Sequence, residues 1–140
     1  MKNALFAIFC VCLLAGVYSI AGCKKNSVTE GRLTGKWIFT GIQESRVVNG
    51  VSTPFTQSFD GGSYLQFNAD KTFSTIIDLE FDGTWQLDGS NLALTNNGDS
   101  AVSNNFNIRT LSSRELILYT NEPNDSGYVE STWHLKKPGS

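Results

Sequence analysis

The sequence predicts an all-β protein in which eight short antiparallel strands form an up-and-down meander and close into a small barrel. Short segments alternate apolar and polar side chains, as a strand with one buried face does. Turn pairs such as Asn-Gly and Asp-Gly separate these segments, and no convincing helical period is present. About eight strands suffice to close such a sheet. A half-open barrel or a β-sandwich is the alternative that the same pattern allows.

The strands are defined by alternation and by the turns between them. Trp37 and Phe39 lie two residues apart and share one face of the first strand, while Lys36 and Thr40 suit its solvated face. Later segments alternate in the same way. The predicted strands are residues 36–48, 63–67, 72–80, 84–87, a short segment near residue 92, and residues 103–111, 115–120 and 128–136.

Turn chemistry sets the links between these strands. Asn49-Gly50 is the strongest hairpin signal, because both residues tolerate positive φ. Pro54 is predicted to end the pairing that follows, because proline cannot donate to a strand ladder, and residues 55–62 are then irregular. Asp82-Gly83 is predicted to form the turn before the fourth strand, and residues 121–127 form the last turn.

Large aromatic side chains fall on the apolar faces of the predicted strands. As a core they would fill a small barrel, and as a lining they would suit an apolar ligand. Both interpretations require the same residues, so alternation leaves them open. The set consists of Trp37, Phe39, Phe67, Phe73, Trp85, Phe106 and Trp133.

The long link at residues 49–62 carries two phenylalanines, Phe55 and Phe59, four residues apart. Other links are short and polar, as solvated turns are. We therefore expect this segment to be a lid at one mouth of the barrel, with both rings in contact with a ligand. The alternative is that the two rings plug the barrel end as part of its core.

The tripeptide Gly35-Lys36-Trp37 at the head of the first strand resembles the signature that opens lipocalin-like barrels. The resemblance spans residues 33–137 and implies a barrel that holds one small hydrophobic ligand. It also implies that a basic side chain beyond the last strand covers the signature tryptophan. Lys136 and Lys137 are the candidates for that contact with Trp37.

Residues 1–22 have the order of a bacterial export signal: a positive charge, a short apolar core and small residues. Ile20-Ala21-Gly22-Cys23 resembles a lipobox, which implies that Cys23 becomes the lipidated first residue of the exported chain. Ordinary cleavage after Ala21 is the alternative. Residues 23–32 then form a tether and residues 33–140 the barrel domain. Lys24 points, by analogy with enteric lipoproteins, to the outer membrane.

The cysteine count and the net charge exclude some classes of protein. Cys10 and Cys12 lie in the signal, so the exported domain has no disulfide. Without Lys2 the chain has ten basic and thirteen acidic side chains, a net charge of −3 that argues against binding of nucleic acid.

His134 is the one histidine and is predicted to lie on a solvated face, so we expect no metal site, no cofactor and no catalytic residue. The carboxylates Asp78, Glu80 and Asp82 are predicted to be solvated or, as an alternative, to bind calcium weakly.

The function predicted from these features is that of a lipid-anchored, non-enzymatic envelope protein that binds a small hydrophobic molecule or serves as an accessory domain. The alternative hypothesis is a protein-interaction module in the envelope, either an inhibitor of a lytic enzyme or an accessory subunit of an outer-membrane complex. A cavity open at one end of the barrel favours the first hypothesis. A solid core with aromatic residues on the loops favours the second.

Overall fold

The computed structural model describes residues 27–77, 79–98 and 102–140, so the predicted export signal, Cys23 and Asp78 lie outside the described residues. Within these ranges no helix is both long and apolar enough to cross a bilayer. One helical turn precedes nine strands. The elements are α1 (Glu30–Leu33), β1 (Gly35–Val48), β2 (Val51–Ser58), β3 (Tyr64–Phe67), β4 (Thr72–Ile76), β5 (Glu80–Asp88), β6 (Asn91–Asn96), β7 (Ser103–Leu111), β8 (Glu115–Asn124) and β9 (Gly127–Lys136).

Eight of the strands form a closed antiparallel barrel. The strands follow in the order β1-β3-β4-β5-β6-β7-β8-β9, and β9 pairs with β1 to close the ring. This confirms the predicted meander and excludes the half-open barrel and the sandwich. The ninth strand, β2, pairs with β1 outside this ring and continues the line of β3.

The barrel has two different ends. β1 begins at the end that carries α1, which we call the closed end, and runs to the opposite end, which we call the open end. Residues 35–38 of β1 pair with β3, whereas residues 41–48 pair with β2. β8 ends at Asn124 and β9 begins at Gly127, so this pair is as long as β1 at the open end. The open rim is therefore uneven, because four strands project beyond the others: β2, β1, β9 and β8.

Pro54 does not end the pairing of β2, which was the expectation from the sequence. Pro54 lies opposite Ser45, and β2 continues to Ser58. The backbone N–H of Phe59 donates to the carbonyl of Thr40, so the N–H groups of odd-numbered residues point toward β1. The nitrogen of Pro54 therefore lies on the free edge of β2, where the missing donor costs no ladder hydrogen bond.

Gly83 is not a turn residue either. It lies inside β5 opposite Asn96, because β4 ends at Ile76 and β5 already begins at Glu80. A Cβ atom at Gly83 would stand 2.1 Å from the carbonyl oxygen of Thr95 and 2.8 Å from the ring of Phe73. The glycine is thus required by close approach of the neighbouring strand, which a sequence pattern cannot distinguish from a turn.

The last turn is shorter than predicted. Residues 121–124 belong to β8, where Pro123 pairs with Tyr128, and the chain reverses at residues 125–126. The side chain of Asn124 accepts a hydrogen bond from the backbone N–H of Ser126 at 3.1 Å, which stabilises this tight reversal.

The core fills the barrel from its closed end. Inward residues alternate with solvated ones along each strand, as the sequence predicted. Leu33 of α1 is fully buried, and the indole N–H of Trp37 donates to the carbonyl of Leu33 at 2.7 Å. The largest fully buried side chains are Trp37, Trp85, Phe39, Phe67, Leu33, Leu65, Leu92, Leu116, Leu118 and Leu135.

Candidate functional site

A cavity of about 230 Å³ opens at the rim of the barrel away from α1. It lies between the inner faces of β3 to β7 and β9, where the shorter strands leave the end of the barrel uncovered. Six of its lining side chains are apolar and three are polar. The lining residues are Leu65, Phe73, Thr75, Ile77, Phe81, Leu94, Asn96, Asn104 and Trp133.

Trp133 connects this cavity to the aromatic core. Its ring lies 4.6 Å from that of Phe106 and 5.5 Å from that of Phe39, measured between centroids. Both partners are buried, so the indole is held from behind while one side borders the cavity. The aromatic surface is therefore preformed.

The polar members of the lining have different roles. The hydroxyl of Thr75 donates to the carbonyl of Tyr64 at 2.7 Å. Its proton is therefore already engaged in a hydrogen bond within the sheet and is not offered to a ligand. Asn96 and Asn104 bring amide groups, which both donate and accept hydrogen bonds. A ligand at this site would meet mainly apolar surface with a few oriented polar groups, the usual composition of a small-molecule site.

The residues that the sequence proposed as ligand contacts are spread over several environments. Phe73 and Trp133 line the cavity. Phe81 also lines it and was not predicted, because the misplaced turn at Gly83 concealed its position on β5. Buried core positions account for Trp37, Phe39, Trp85 and Phe106.

The predicted lid segment is mostly a regular strand. Val51–Ser58 pairs along β1, so the expectation of an irregular segment from residue 55 is wrong up to Ser58. Phe59 packs on Phe39, with 5.6 Å between ring centroids, and Phe55 is 56% exposed. Neither ring is among the side chains that line the cavity at the open end.

Trp37 is covered by a lysine, as the sequence predicted. The ammonium of Lys137 lies 4.1 Å from the centroid of the indole and donates to the carbonyl of Thr34 at 3.1 Å. Burial lowers the pKa of Lys137 below its usual 10.5. Gly35 has φ +116°, and a Cβ there would lie 2.8 Å from the same ammonium. A larger residue at position 35 would therefore clash with Lys137.

A second depression, of about 340 Å³, lies on the outer wall and is separate from the cavity. There the guanidinium of Arg109 stacks 3.5 Å from the ring centroid of Tyr119, whose hydroxyl donates to Glu130 at 2.7 Å. The hydrogen bond to Glu130, together with burial, raises the pKa of Tyr119 above its usual 10.0. Phe55 contributes to this outer depression.

Other polar candidates do not form a reactive site. Among the described residues, no three His, Cys, Asp or Glu side chains come together as metal ligands. Asp82 accepts a hydrogen bond from the amide of Asn97 at 2.6 Å, and Glu80 is exposed. His134 is half-buried rather than solvated, and its Nε2 atom is buried without a hydrogen-bond partner in the described part of the chain.

Comparison with known proteins identifies one domain family and two structural neighbours. The model of the lipocalin-like domain family matches residues 33–118, which is more than half of the chain. A lipocalin-like protein from Bacteroides uniformis is 18% identical, with a TM-score of 0.52 over 76% of this chain and 99% of that chain. The bovine lipocalin allergen Bos d 2 is 16% identical, with a TM-score of 0.47 over 81% of this chain and 77% of its own. No curated protein matches the sequence.

Proposed function

Because the chain belongs to the lipocalin-like domain family, we propose that it is a binding protein without catalytic activity that holds one small apolar ligand at the open end of its barrel. Members of this family are generally non-enzymatic binding proteins. The observation that carries the proposal is the cavity bordered by Phe73, Phe81 and Trp133. Aromatic side chains such as these contribute large apolar contact areas.

The size and chemistry of the cavity limit the ligand. Its 230 Å³ lies below the range of about 300–1,000 Å³ that is usual for drug-sized ligands. We therefore expect a compact apolar molecule, or one end of a longer one that extends over the rim. Asn96 and Asn104 would hydrogen-bond a single polar group on that ligand.

The test compares two exposed phenylalanines with different positions. Phe81→Ala removes a ring from the cavity rim, and we expect it to weaken binding of an apolar fluorescent probe by about tenfold, because about 1.4 kcal/mol of contact is lost. Phe55→Ala removes a ring on β2 that does not line the cavity, and it should leave probe affinity unchanged. Equal effects of the two variants on probe affinity would contradict this site.

The lipid anchor is a separate part of the proposal. Cys23 follows Ile20-Ala21-Gly22 directly after an export signal, and diacylglyceryl modification of its sulfur would hold the domain on the envelope membrane. We propose the outer membrane as its location. Cys23→Ala should shift the protein from the membrane fraction to the soluble fraction, and mass spectrometry of the wild-type amino-terminal peptide should show the acyl chains. A membrane-bound mutant without any acylated wild-type peptide would refute the anchor.

A second candidate function is docking of an envelope protein on the open end. Within the described residues, the exposed large apolar side chains all lie there: Val51, Phe55, Leu79, Phe81, Val102 and Tyr128. Exposed apolar surface of this kind is typical of interaction sites. Native mass spectrometry of the protein, purified gently from its own cells, distinguishes the two functions. A small added mass supports the ligand, and a protein added in fixed stoichiometry supports the partner.

A further inference from the structure

Basic side chains cluster at the closed end of the barrel. The backbone N–H of Lys137 donates to the carbonyl of Arg114 at 2.9 Å, and Lys136 follows Leu135 at the end of β9, so the β7–β8 turn and the chain after β9 lie together. The ammonium of Lys137 bonds to Thr34, which brings the end of α1 to the same place. We call the resulting set the basic surface: Arg32, Lys36, Arg114, Lys136 and Lys137.

Most of this basic surface faces solvent. Lys36, Arg114 and Lys136 are exposed, and Arg32 and Lys137 are half-buried. The closed end also carries the acidic residues Glu30, Asp70, Asp88 and Glu115, of which Glu115 lies opposite Lys136 in the β8–β9 pair. Counted with Lys71, the described residues at this end still include six basic and four acidic side chains. In the described ranges the one ion pair of the chain joins Lys71 to Glu30, and neither residue belongs to the basic surface. Its positive charge is therefore available to a partner outside the chain.

The open end has the opposite charge. Its turns and projecting strands carry acidic side chains, and Arg46 is the basic residue that the described part of the chain places among them. The acids at this end are Glu44, Asp60, Glu80, Asp82, Glu122, Asp125 and Glu130. An anionic surface would thus repel the open end and attract the closed end, because the two ends differ in sign.

The start of the domain also points to the closed end. Val28 packs against the hydrophobic core there, and Cys23 precedes it by five residues. Five residues reach at most about 17 Å, whereas the ten residues of β9 rise about 30 Å along the strand. A lipid on Cys23 therefore keeps the closed end next to the bilayer, and Lys24 and Lys25 add positive charge in between.

We infer that the basic surface docks on the anionic head groups of the bilayer that holds the lipid, so that the barrel stands upright with its acidic mouth directed away from the membrane. This inference rests on the proposed lipid anchor at Cys23. Charge complementarity identifies the occupant, since each Lys or Arg near an anionic surface strengthens association by about fivefold. An upright barrel also leaves the cavity open to molecules outside the anchoring membrane.

Two serines at opposite ends provide the test. Ser113 lies in the β7–β8 turn at the closed end and Ser126 lies in the β8–β9 turn at the open end, and both are exposed. The acylated full-length protein with Ser113→Cys or Ser126→Cys is labelled with a donor dye and reconstituted in vesicles that contain an anionic phospholipid and an acceptor-labelled lipid. We expect energy transfer from position 113 to be several-fold more efficient than from position 126. Equal transfer, stronger transfer from position 126, or no transfer from either would overturn the inference.

Charge variants separate docking from the tether. Arg114→Gln with Lys136→Gln should reduce docking about 25-fold and lower the difference in transfer efficiency to the smaller one that the tether alone maintains. The matched control, Arg46→Gln with Arg109→Gln, removes two cations outside the basic surface and should keep the difference. About 1 M salt should reduce it to the same level, because the Debye length falls from about 10 Å to about 3 Å. A difference that neither salt nor the first double variant reduces would refute electrostatic docking.

Failure of the anchor would be seen separately. Flotation of the protein with neutral vesicles depends on the acyl chains alone, since such vesicles offer the basic surface no net charge. Loss of flotation would therefore count against lipidation of Cys23, while the comparison of positions 113 and 126 in anionic vesicles would still decide whether the basic surface docks.

Discussion

The closed end and the open end of the barrel use aromatic and apolar side chains in opposite ways. At the closed end Leu33 and Trp37 are fully buried, and the indole is fixed by a hydrogen bond from one side and by the ammonium of Lys137 from the other. At the open end Leu79 and Phe81 are 67% and 42% exposed, and Phe81 borders the cavity. The same barrel thus has one end that is packed and one that is available to bind.

This difference indicates how stability and binding are divided in the molecule. Burial of large side chains contributes most of the free energy of folding, and most of those side chains lie toward α1. The open rim contributes little to that packing, so changes there should alter binding with small effects on folding. Substitutions at matched positions of the two ends can test this division.

The largest expected effect is that of Trp37→Ala. Loss of a fully buried indole should lower the free energy of unfolding by about 3–5 kcal/mol, measured by urea denaturation. Phe81→Ala at the open rim should lower it by less than about 1 kcal/mol. Comparable losses in the two variants would show that the ends are equally important for stability.

A smaller effect is expected when the cation is removed from the indole. Lys137→Met keeps an apolar stem but loses the contact with Trp37 and the hydrogen bond to Thr34. The cost of burying the ammonium partly offsets these losses, so we expect the free energy of unfolding to fall by about 0.5–1 kcal/mol. Lys136→Met, with its exposed side chain, should stay within about 0.5 kcal/mol. A stabilising Lys137→Met would mean that the burial cost exceeds the contact.

The smallest effect concerns acid stability of the β3–β4 turn at the closed end. The carboxylate of Asp70 accepts hydrogen bonds from the hydroxyl of Thr72 at 2.6 Å and from its backbone N–H at 3.0 Å, and these bonds lower the pKa of Asp70 below 3.8. The native pKa is lower than that of the unfolded chain. Stability from this group is therefore present above pH 3.8 and is lost as the pH falls through the native pKa.

Thermal unfolding between about pH 5 and pH 2 measures this contribution. Asp70→Asn should lose slightly less melting temperature on acidification than the wild type, because its side chain does not titrate. Asp125→Asn, in the exposed turn at the open end, is the matched control and should follow the wild type. If both variants follow the wild type, the hydrogen bonds of Asp70 do not contribute to acid stability.

Local chemistry allowed much of the fold to be predicted from the sequence. Alternation identified the barrel strands, and Asn49-Gly50 forms the predicted hairpin with φ values of 50° and 78°. The pairing of the first and last strands and the lysine over Trp37 are confirmed as well. These features depend on residues that are close together in the chain or on the resemblance to a family, and the sequence alone contains both kinds of information.

The features that were missed depend on contacts between distant residues. Gly83 is required by the carbonyl of Thr95, and Pro54 is tolerated because β2 has a free edge. Neither circumstance can be known before the strands are placed. The displaced turn concealed Phe81, and the cavity itself was beyond prediction, because a filled and a lined barrel need the same aromatic residues.

Closure of the ring by β1 and β9 has a consequence for how the chain folds. The first and last strands of the barrel meet only when nearly the whole domain is present, and such non-local pairing is associated with folding in milliseconds to seconds. Until then β1 has strand edges on which other chains could pair. β2 forms a hairpin with β1 across two residues, so it covers one of these edges early and leaves the other for the strand that arrives last.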